Sequence, residues 1–182
     1  MLTRIIALLE KNNLLNDSNR EIITYGLTRI IGTLTMLLFT LLLSGLMGDF
    51  LVGALFETCF ITLRRYTGGY HAETQRRCLV MTYLSTLICV AAIFFVPINK
   101  FFAELVVVLF NIEVIGRAPI ENKNKPLNDI EKKIYRRKAI VITLVLSALF
   151  LIFNIVKLTI YSKTIIVAML LVFIGMLCAT HM

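Results

Sequence analysis

The chain of 182 residues contains few charged residues, no tryptophan, two histidines and four cysteines. Charged side chains make up 16% of the sequence, against about 25% in an ordinary soluble domain, and the mean hydropathy is +0.85. This composition excludes a typical soluble enzyme. The cysteines and histidines are too few and too scattered for a disulfide framework or a structural zinc site. We therefore expect neither a metal ion nor a cofactor.

Apolar residues are gathered into long blocks that predict an all-α, polytopic integral membrane protein with about six transmembrane helices. Because a helix needs about 20 residues to cross the hydrocarbon layer, the short second and fourth blocks are the ones that we expect to tilt, to thin the bilayer or to re-enter it. Before the first block, residues 1–17 predict an amphipathic helix that lies in the membrane interface. The six blocks are residues 27–47, 50–63, 79–96, 101–115, 139–156 and 164–180.

Positive charge is distributed unequally between the two predicted faces of the membrane. Sixteen of the 19 Lys and Arg residues lie before or at the start of the first block, between the second and the third, or in a basic loop over residues 116–138. The other face has only Lys100, Lys157 and Lys163. The positive-inside rule then predicts that both termini are cytoplasmic. Topology explains most of the net charge of +8, so we expect anionic lipids or an anionic peptide as partners, and no nucleic acid.

A single carboxylate, Glu57, stands in the middle of the second block. A charged group at this depth is unfavourable unless it is paired, protonated or in contact with water. We expect a polar interior position, either as a hydrogen-bond partner between helices or near an active site.

Residues 64–78 bring together a histidine, a glycine pair, four arginines and a cysteine. A cysteine thiolate attacks a carbonyl group efficiently, and a nearby imidazole takes the thiol proton and later protonates the leaving amine. Cys78 is the candidate nucleophile and His71 the candidate base. A position at a helix N-terminus beside Arg76 and Arg77 would favour the thiolate form of Cys78.

Geometry restricts how His71 and Cys78 can meet. On one continuous helix they would share a face but lie about 10.5 Å apart along the axis, which exceeds hydrogen-bond reach. The segment must therefore bend or break, and Gly68 and Gly69 supply a permissive backbone.

With these residues in place, the chain resembles the AgrB-like quorum-sensing peptidases, which are integral membrane cysteine endopeptidases. Arg64, Gly69, His71 and Cys78 match the arginine, glycine, histidine and catalytic cysteine of that family in order and spacing. The family's basic loop also contains an Ala-Pro and a Lys-Pro pair, which correspond here to residues 118–119 and 125–126.

The resemblance implies one membrane peptidase domain over residues 1–182, located in a bacterial cell membrane. This domain would process an AgrD-type propeptide, which has an amphipathic leader and an acidic tail. His71 and Cys78 would remove the tail through an acyl-enzyme, and the product would be a thiolactone or lactone peptide. The family also suggests a homodimer. Binding or structural support would come from the other polar residues and glycines of the segment, Arg64, Gly68, Gly69, Glu73, Gln75, Arg76 and Arg77.

Two other classes of protein fit the same composition. A small six-span transporter or exporter would use Glu57 and the short helices to line a path. A membrane scaffold would bind anionic lipid through its basic loops. Only the peptidase requires one indispensable thiol, that of Cys78.

Overall fold

The computed structural model describes residue 6 and residues 20–69, 74–121 and 127–180, without the side chains of residues 75, 76 and 180. Apart from residue 6, the predicted interfacial helix over residues 1–17 lies outside the described residues.

Six helices make up the described part of the chain, and the all-α prediction is confirmed. Each predicted apolar block corresponds to one helix, and each helix extends beyond its block at one end or both. The helices are α1 (Arg20–Leu46), α2 (Phe50–Thr67), α3 (Gln75–Phe95), α4 (Lys100–Arg117), α5 (Asp129–Ile155) and α6 (Thr159–Thr180).

Four of these helices, α1, α3, α5 and α6, are long and apolar enough to cross a membrane. Helices α2 and α4 have 18 residues each, about 27 Å at 1.5 Å per residue, which falls short of a ~30 Å hydrocarbon layer. Three charged residues in α2 and four in α4 lower their hydropathy further. The prediction of six transmembrane helices is therefore confirmed only as six helices, four of them of membrane-spanning character.

The predicted basic loop over residues 116–138 is shorter than the sequence suggested. Helix α4 ends at Arg117, and α5 begins at Asp129. Asn128 and Glu131 form a capping box, in which each side chain accepts a hydrogen bond from the other residue's backbone N–H. This cap starts the helix about three turns before the apolar block begins. Many of the cations assigned to the loop thus lie on the first turns of α5.

The chain divides into two compact units, residues 1–39 and residues 40–182. The described part of the first unit is the N-terminal portion of α1. Its large apolar side chains Ile30, Leu34 and Leu38 are exposed and follow one another at four-residue spacing. This spacing places them on one face of the helix, as expected for a lipid-facing stripe.

In the second unit, helix α6 is the central element and contacts α2, α3, α4 and α5. Residues 164–169 of α6 are all buried, which agrees with a helix that is apolar on every side. The largest core side chains, Phe56 of α2 and Phe110 of α4, are fully buried together with Met169 and Met176 of α6. Packing around α6 thereby determines where the C-terminal end of α2 and the start of α3 lie.

Candidate active site

The C-terminal end of α2 is joined to the connection between α4 and α5. The Ile120 backbone N–H donates a 2.8 Å hydrogen bond to the Thr67 carbonyl oxygen, and Gly68 forms a parallel bridge with Ile120. Gly68 has a φ of +74°, and a β-carbon there would overlap the Ile120 carbonyl oxygen. Glycine is thus required at position 68 by both conformation and space.

Arg64, one turn earlier in α2, folds back onto this turn. Its Nη1 donates a 2.7 Å hydrogen bond to the Gly68 carbonyl oxygen. Gly69 has a φ of +122°, and a β-carbon there would overlap Nη1 of Arg64 and lie 3.0 Å from the carbonyl oxygen of Gly175 in α6. The guanidinium therefore occupies space that is available because Gly69 carries no side chain.

Cys78 lies in the first turn of α3 and is partly exposed. Thr74 caps this helix, since its hydroxyl oxygen accepts a hydrogen bond from the Arg77 N–H and its carbonyl oxygen accepts one from the Cys78 N–H at 3.0 Å. The predicted place of Cys78 at a helix N-terminus is confirmed. The aligned peptide dipoles of the helix give this N-terminal turn a partial positive charge.

The Arg64 guanidinium and the Cys78 side chain interact electrostatically. Burial lowers the pKa of Arg64, which lies just beyond the apolar block that ends at residue 63, and the charge of the Cys78 thiolate raises it. An arginine side chain remains protonated in proteins. This interaction links the candidate nucleophile on α3 with a cation on α2.

The segment between these two helices is broken, as the dyad requires. Helix α2 ends at Thr67 and α3 begins at Gln75, so residues 64–78 do not form one continuous helix. His71 and Glu73 lie outside the described residues, and of Gln75 and Arg76 only the backbone is described. Arg77 is exposed.

The remaining cysteines differ in their surroundings. Cys59 is buried in the core of α2, Cys89 is half-buried in α3, and Cys178 is exposed on α6. All three lie in helices that correspond to the predicted apolar blocks. An apolar block predicts membrane depth but does not say whether a side chain faces the protein or the lipid.

Glu57 forms a contact between helices. Its side chain is 1% exposed, and its Oε1 accepts a 2.6 Å hydrogen bond from the Thr40 hydroxyl. Within the described part of the chain, its Oε2 has no hydrogen-bond partner. Glu57 lies two helical turns, about 10 Å, before Arg64 in α2, and the structure places it against Thr40 and not in the cluster around Cys78.

A cavity of about 330 Å³ opens between the end of α4 and the start of α5. Inside it, Lys132 Nζ and Glu121 Oε1 form a 3.0 Å ion pair, and the hydrogen bond from Lys132 holds the pKa of Glu121 below its usual range. Two of its lining residues, Pro119 and Glu121, flank Ile120, which forms the bridge with Gly68. Half of its eight lining residues are basic: Gly116, Arg117, Ala118, Pro119, Glu121, Lys132, Lys133 and Arg136.

Tyr66 links the end of α2 to the basic turns of α5. Its ring packs edge-on against Tyr135, with 5.6 Å between centroids, and Lys138 Nζ lies 5.3 Å from its centroid. Arg65 lies over the same ring at 5.7 Å. Among the residues that the structure describes, no group of three His, Cys, Asp or Glu side chains could hold a metal ion.

Sequence comparison identifies the family. A family model described as Accessory gene regulator B matches residues 2–177. The chain belongs to this family. Membership supports a role in the accessory gene regulator quorum-sensing system, and it agrees with the resemblance carried by Arg64, Gly69, His71 and Cys78.

Similar proteins carry related names. In Clostridium perfringens (strain 13 / Type A), "Putative AgrB-like protein 2" is 29% identical over 72% of this chain and 65% of its own length. A "Putative AgrB-like protein" from strain SM101 is 28% identical over 65% of this chain and 58% of its own length. A protein of that name from Lactiplantibacillus plantarum is 25% identical over 93% of this chain and 84% of its own length. The chain thus matches less than two thirds of the length of each clostridial relative.

No solved structure matches the chain significantly. Sequence reasoning missed Gly175, Ile120 and the Tyr66 cluster, since each meets the segment across a long stretch of chain and no local pattern marks it.

Proposed function

We propose that this protein is a membrane-embedded cysteine endopeptidase that removes the C-terminal tail of an AgrD-type propeptide and closes the remaining segment into a thiolactone or lactone. The observation that carries the proposal is the place of Cys78. It lies in the first turn of a helix, at the start of an apolar span, and is partly exposed.

The chemistry has two steps. In the first, the Cys78 Sγ attacks the carbonyl carbon of the scissile peptide bond, and His71 takes the thiol proton and passes it to the departing amine. The tail leaves with a new amino terminus, and the rest of the substrate becomes a thioester of Cys78. The break between α2 and α3 supports this role of His71, because it removes the separation that a continuous helix would impose.

In the second step, a cysteine of the substrate attacks the thioester carbon, so that one thioester replaces another and the Cys78 thiol is released. The free energy changes little in this exchange, whereas hydrolysis would be irreversible in practice. A substrate serine would give a lactone in its place. A site at the edge of an apolar span helps to keep water away from the thioester until the exchange is complete.

The distribution of lysine and arginine supports a location for the substrate's acidic tail. Residues 64–78 and the start of α5 are rich in cations, and four of the eight residues that line the cavity between α4 and α5 are lysine or arginine. We propose that both termini and this surface are cytoplasmic, that an amphipathic leader lies on the inner leaflet, and that the acidic tail is drawn to these cations. Anionic lipid contacts and a homodimer are further predictions from the family.

The transporter alternative rests on Glu57, and the geometry does not favour it. A residue that lines a water-filled path is expected to be exposed to that path, but Glu57 is 1% exposed and bonded to Thr40. A buried carboxyl group between two helices fits an interhelical hydrogen bond.

The test is propeptide cleavage by purified protein in lipid vesicles. Cys78→Ala and His71→Ala should each abolish cleavage while the helical circular dichroism spectrum stays that of the wild type. Cys59→Ala and Cys178→Ala are matched controls, one buried and one exposed, and should retain cleavage. Full cleavage by Cys78→Ala would contradict the cysteine-peptidase mechanism and leave the transporter class as the better hypothesis.

A further inference from the structure

The cavity between the end of α4 and the start of α5 carries more positive than negative charge. Two of its four cations are paired with carboxylates: Arg117 Nη1 lies 3.2 Å from Glu113 Oε1, and Lys132 Nζ lies 3.0 Å from Glu121 Oε1. The other two cations have no carboxylate partner among the residues that the structure describes. The cavity, of about 330 Å³, is large enough for a small ligand, and its charge favours an anion.

The two remaining cations, Lys133 and Arg136, lie three residues apart on α5, so they share a face of the helix. Arg136 Nη2 donates a 2.9 Å hydrogen bond to the Ile115 carbonyl oxygen, which orients the guanidinium across the end of α4. Within the described part of the chain, the Lys133 side chain makes no hydrogen bond or ion pair. Arginine binds phosphate through a rigid fork of N–H donors, and lysine binds it as a point charge. Together they suit the two unesterified oxygens of one phosphodiester group.

An apolar stripe on α4 leads to the cavity. Its five side chains are exposed and follow one another at spacings of four, three, four and three residues, which places them on one face of the helix. The stripe covers about 21 Å of helix, more than the ~15 Å of hydrocarbon in one leaflet. It ends at Ile115, the residue before Gly116 and Arg117, which line the cavity. The stripe consists of Phe101, Leu105, Val108, Ile112 and Ile115.

The cavity lies at the boundary between apolar and polar sequence. On α4 the apolar block ends at Ile115, and on α5 the next block begins at Ala139, three residues after Arg136. The rings of Tyr66 and Tyr135 meet beside the same turn of α5, with 5.6 Å between centroids. Tyrosine is enriched where the membrane meets water. The cations of the cavity thus lie at the depth of lipid phosphates.

We infer that this cavity binds the phosphate of one anionic phospholipid. Lys133 and Arg136 are the ligands of the phosphate, and the apolar stripe of α4 is the path of an acyl chain. Basic pockets between helices at a cytoplasmic membrane face bind such headgroups. An acidic peptide would satisfy the two cations but would leave the stripe without a role. The inference goes beyond the proposed function and does not rest on it, because the site needs no role for Cys78.

The first measurement is native mass spectrometry of the full-length protein in non-ionic detergent, titrated with phosphatidylglycerol or with phosphatidylcholine of the same acyl chains. An ionic strength of about 0.15 M screens cations that lie more than about 8 Å from the lipid. The wild type should bind one phosphatidylglycerol about fivefold or more tightly than phosphatidylcholine, because choline places a positive charge beside the two cations. Equal affinity for the two lipids would overturn the inference.

Removing the cations tests the ligands of the phosphate. Lys133→Gln should weaken phosphatidylglycerol binding by about fivefold, and the double variant with Arg136→Gln by about 25-fold, as expected for each cation lost near a lipid phosphate. The matched control is Arg137→Gln, which removes the same charge from an exposed residue that does not line the cavity. Its affinity should stay within about twofold of the wild type.

Lys133→Gln decides this test if the double variant does not fold, because the Lys133 side chain makes no hydrogen bond or ion pair within the described residues. An equal effect of Lys133→Gln and Arg137→Gln would indicate attraction to the basic turns of α5 in general, and it would overturn the site.

A second pair of variants tests the apolar stripe. Ile112→Ser should weaken phosphatidylglycerol binding by about threefold, because it removes apolar area that the acyl chain would cover. Ile88→Ser is the matched control on α3, since both isoleucines are 63% exposed but Ile88 lies outside the stripe. It should leave binding unchanged. Equal losses in the two variants would contradict the path of the acyl chain.

Competition identifies the occupant. Inorganic phosphate and a synthetic peptide of glutamate residues, each at the concentration of phosphatidylglycerol, should leave the lipid bound, because neither has an acyl chain for the stripe. Displacement by phosphate would assign the cavity to a free anion, and displacement by the peptide would assign it to an acidic segment such as the substrate's tail. Either result would overturn the lipid site. Neither would affect the cysteine-peptidase proposal, which propeptide cleavage by Cys78→Ala tests separately.

Discussion

Replacing Gly68 by alanine tests whether the turn after α2 depends on its contact with Ile120. At a φ of +74°, an L-residue is strained by about 1–3 kcal/mol. The new β-carbon would also overlap the Ile120 carbonyl oxygen. Relieving that overlap moves Ile120 and endangers its 2.8 Å hydrogen bond to Thr67, a loss of about 0.5–1.5 kcal/mol. The two effects together predict a destabilisation of about 2–4 kcal/mol.

Two other glycines separate these contributions. Gly48 has a φ of +112°, but an added β-carbon there would have no atom within 4 Å, so Gly48→Ala should show the strain alone, about 1–3 kcal/mol. Gly116 lies in α4 with open space around it and no unusual φ. Gly116→Ala should therefore stabilise the protein by roughly 0.5–1 kcal/mol.

The measurement is denaturant-induced unfolding in mixed micelles, followed by the helical circular dichroism signal, with wild type and the three alanine variants under one set of conditions. The expected order of stability is Gly116→Ala, wild type, Gly48→Ala and Gly68→Ala. If Gly68→Ala were as stable as Gly48→Ala or more stable, the contact with Ile120 would not contribute, and the account of this turn would be refuted.

Two further predictions concern Glu57 and the topology. Thr40→Val should destabilise the protein by about 1–3 kcal/mol, because it leaves the buried Glu57 Oε1 without its hydroxyl donor. Thr40→Ser should retain most of the stability in the same unfolding assay. Equal stability of the two variants would contradict the hydrogen bond. Cysteine probes at Asn99 should react with an impermeant reagent from outside the cell, and probes at Asn124 should react only after permeabilisation. The reason is that cations are concentrated on the face proposed to hold Asn124. External labelling at Asn124 would reverse the proposed orientation.

Much of the fold could be predicted from hydropathy, because each apolar block corresponds to one helix. Hydropathy predicted less well where a helix extends beyond its apolar block or is too short and too charged to span the membrane. Residues 129–138 are mostly polar, yet they form the first turns of α5 because Asn128 and Glu131 cap its N-terminus. Glu57 and the charged ends of α2 and α4 shorten the apolar part of two helices without breaking them.

The site could be predicted only as far as local chemistry allows. Cys78 at a helix start and a break near Gly68 follow from neighbouring residue types. The packing of Arg64 on Gly175 does not, because the two residues are far apart in the sequence and neither has a repeating pattern that indicates the contact. The pairing of Gly68 with Ile120 likewise depends on how α2, α4 and α5 meet around α6.

The most direct test of the central claim is intact-mass analysis of the protein after incubation with a propeptide whose ring-forming cysteine is replaced by alanine. The substitution blocks exchange, so the acyl-enzyme should accumulate. We expect an added mass equal to the leader and ring segment without the acidic tail, located at Cys78 and absent from Cys78→Ala. Release of the tail with no adduct at Cys78, under conditions that preserve thioesters, would contradict a covalent cysteine mechanism.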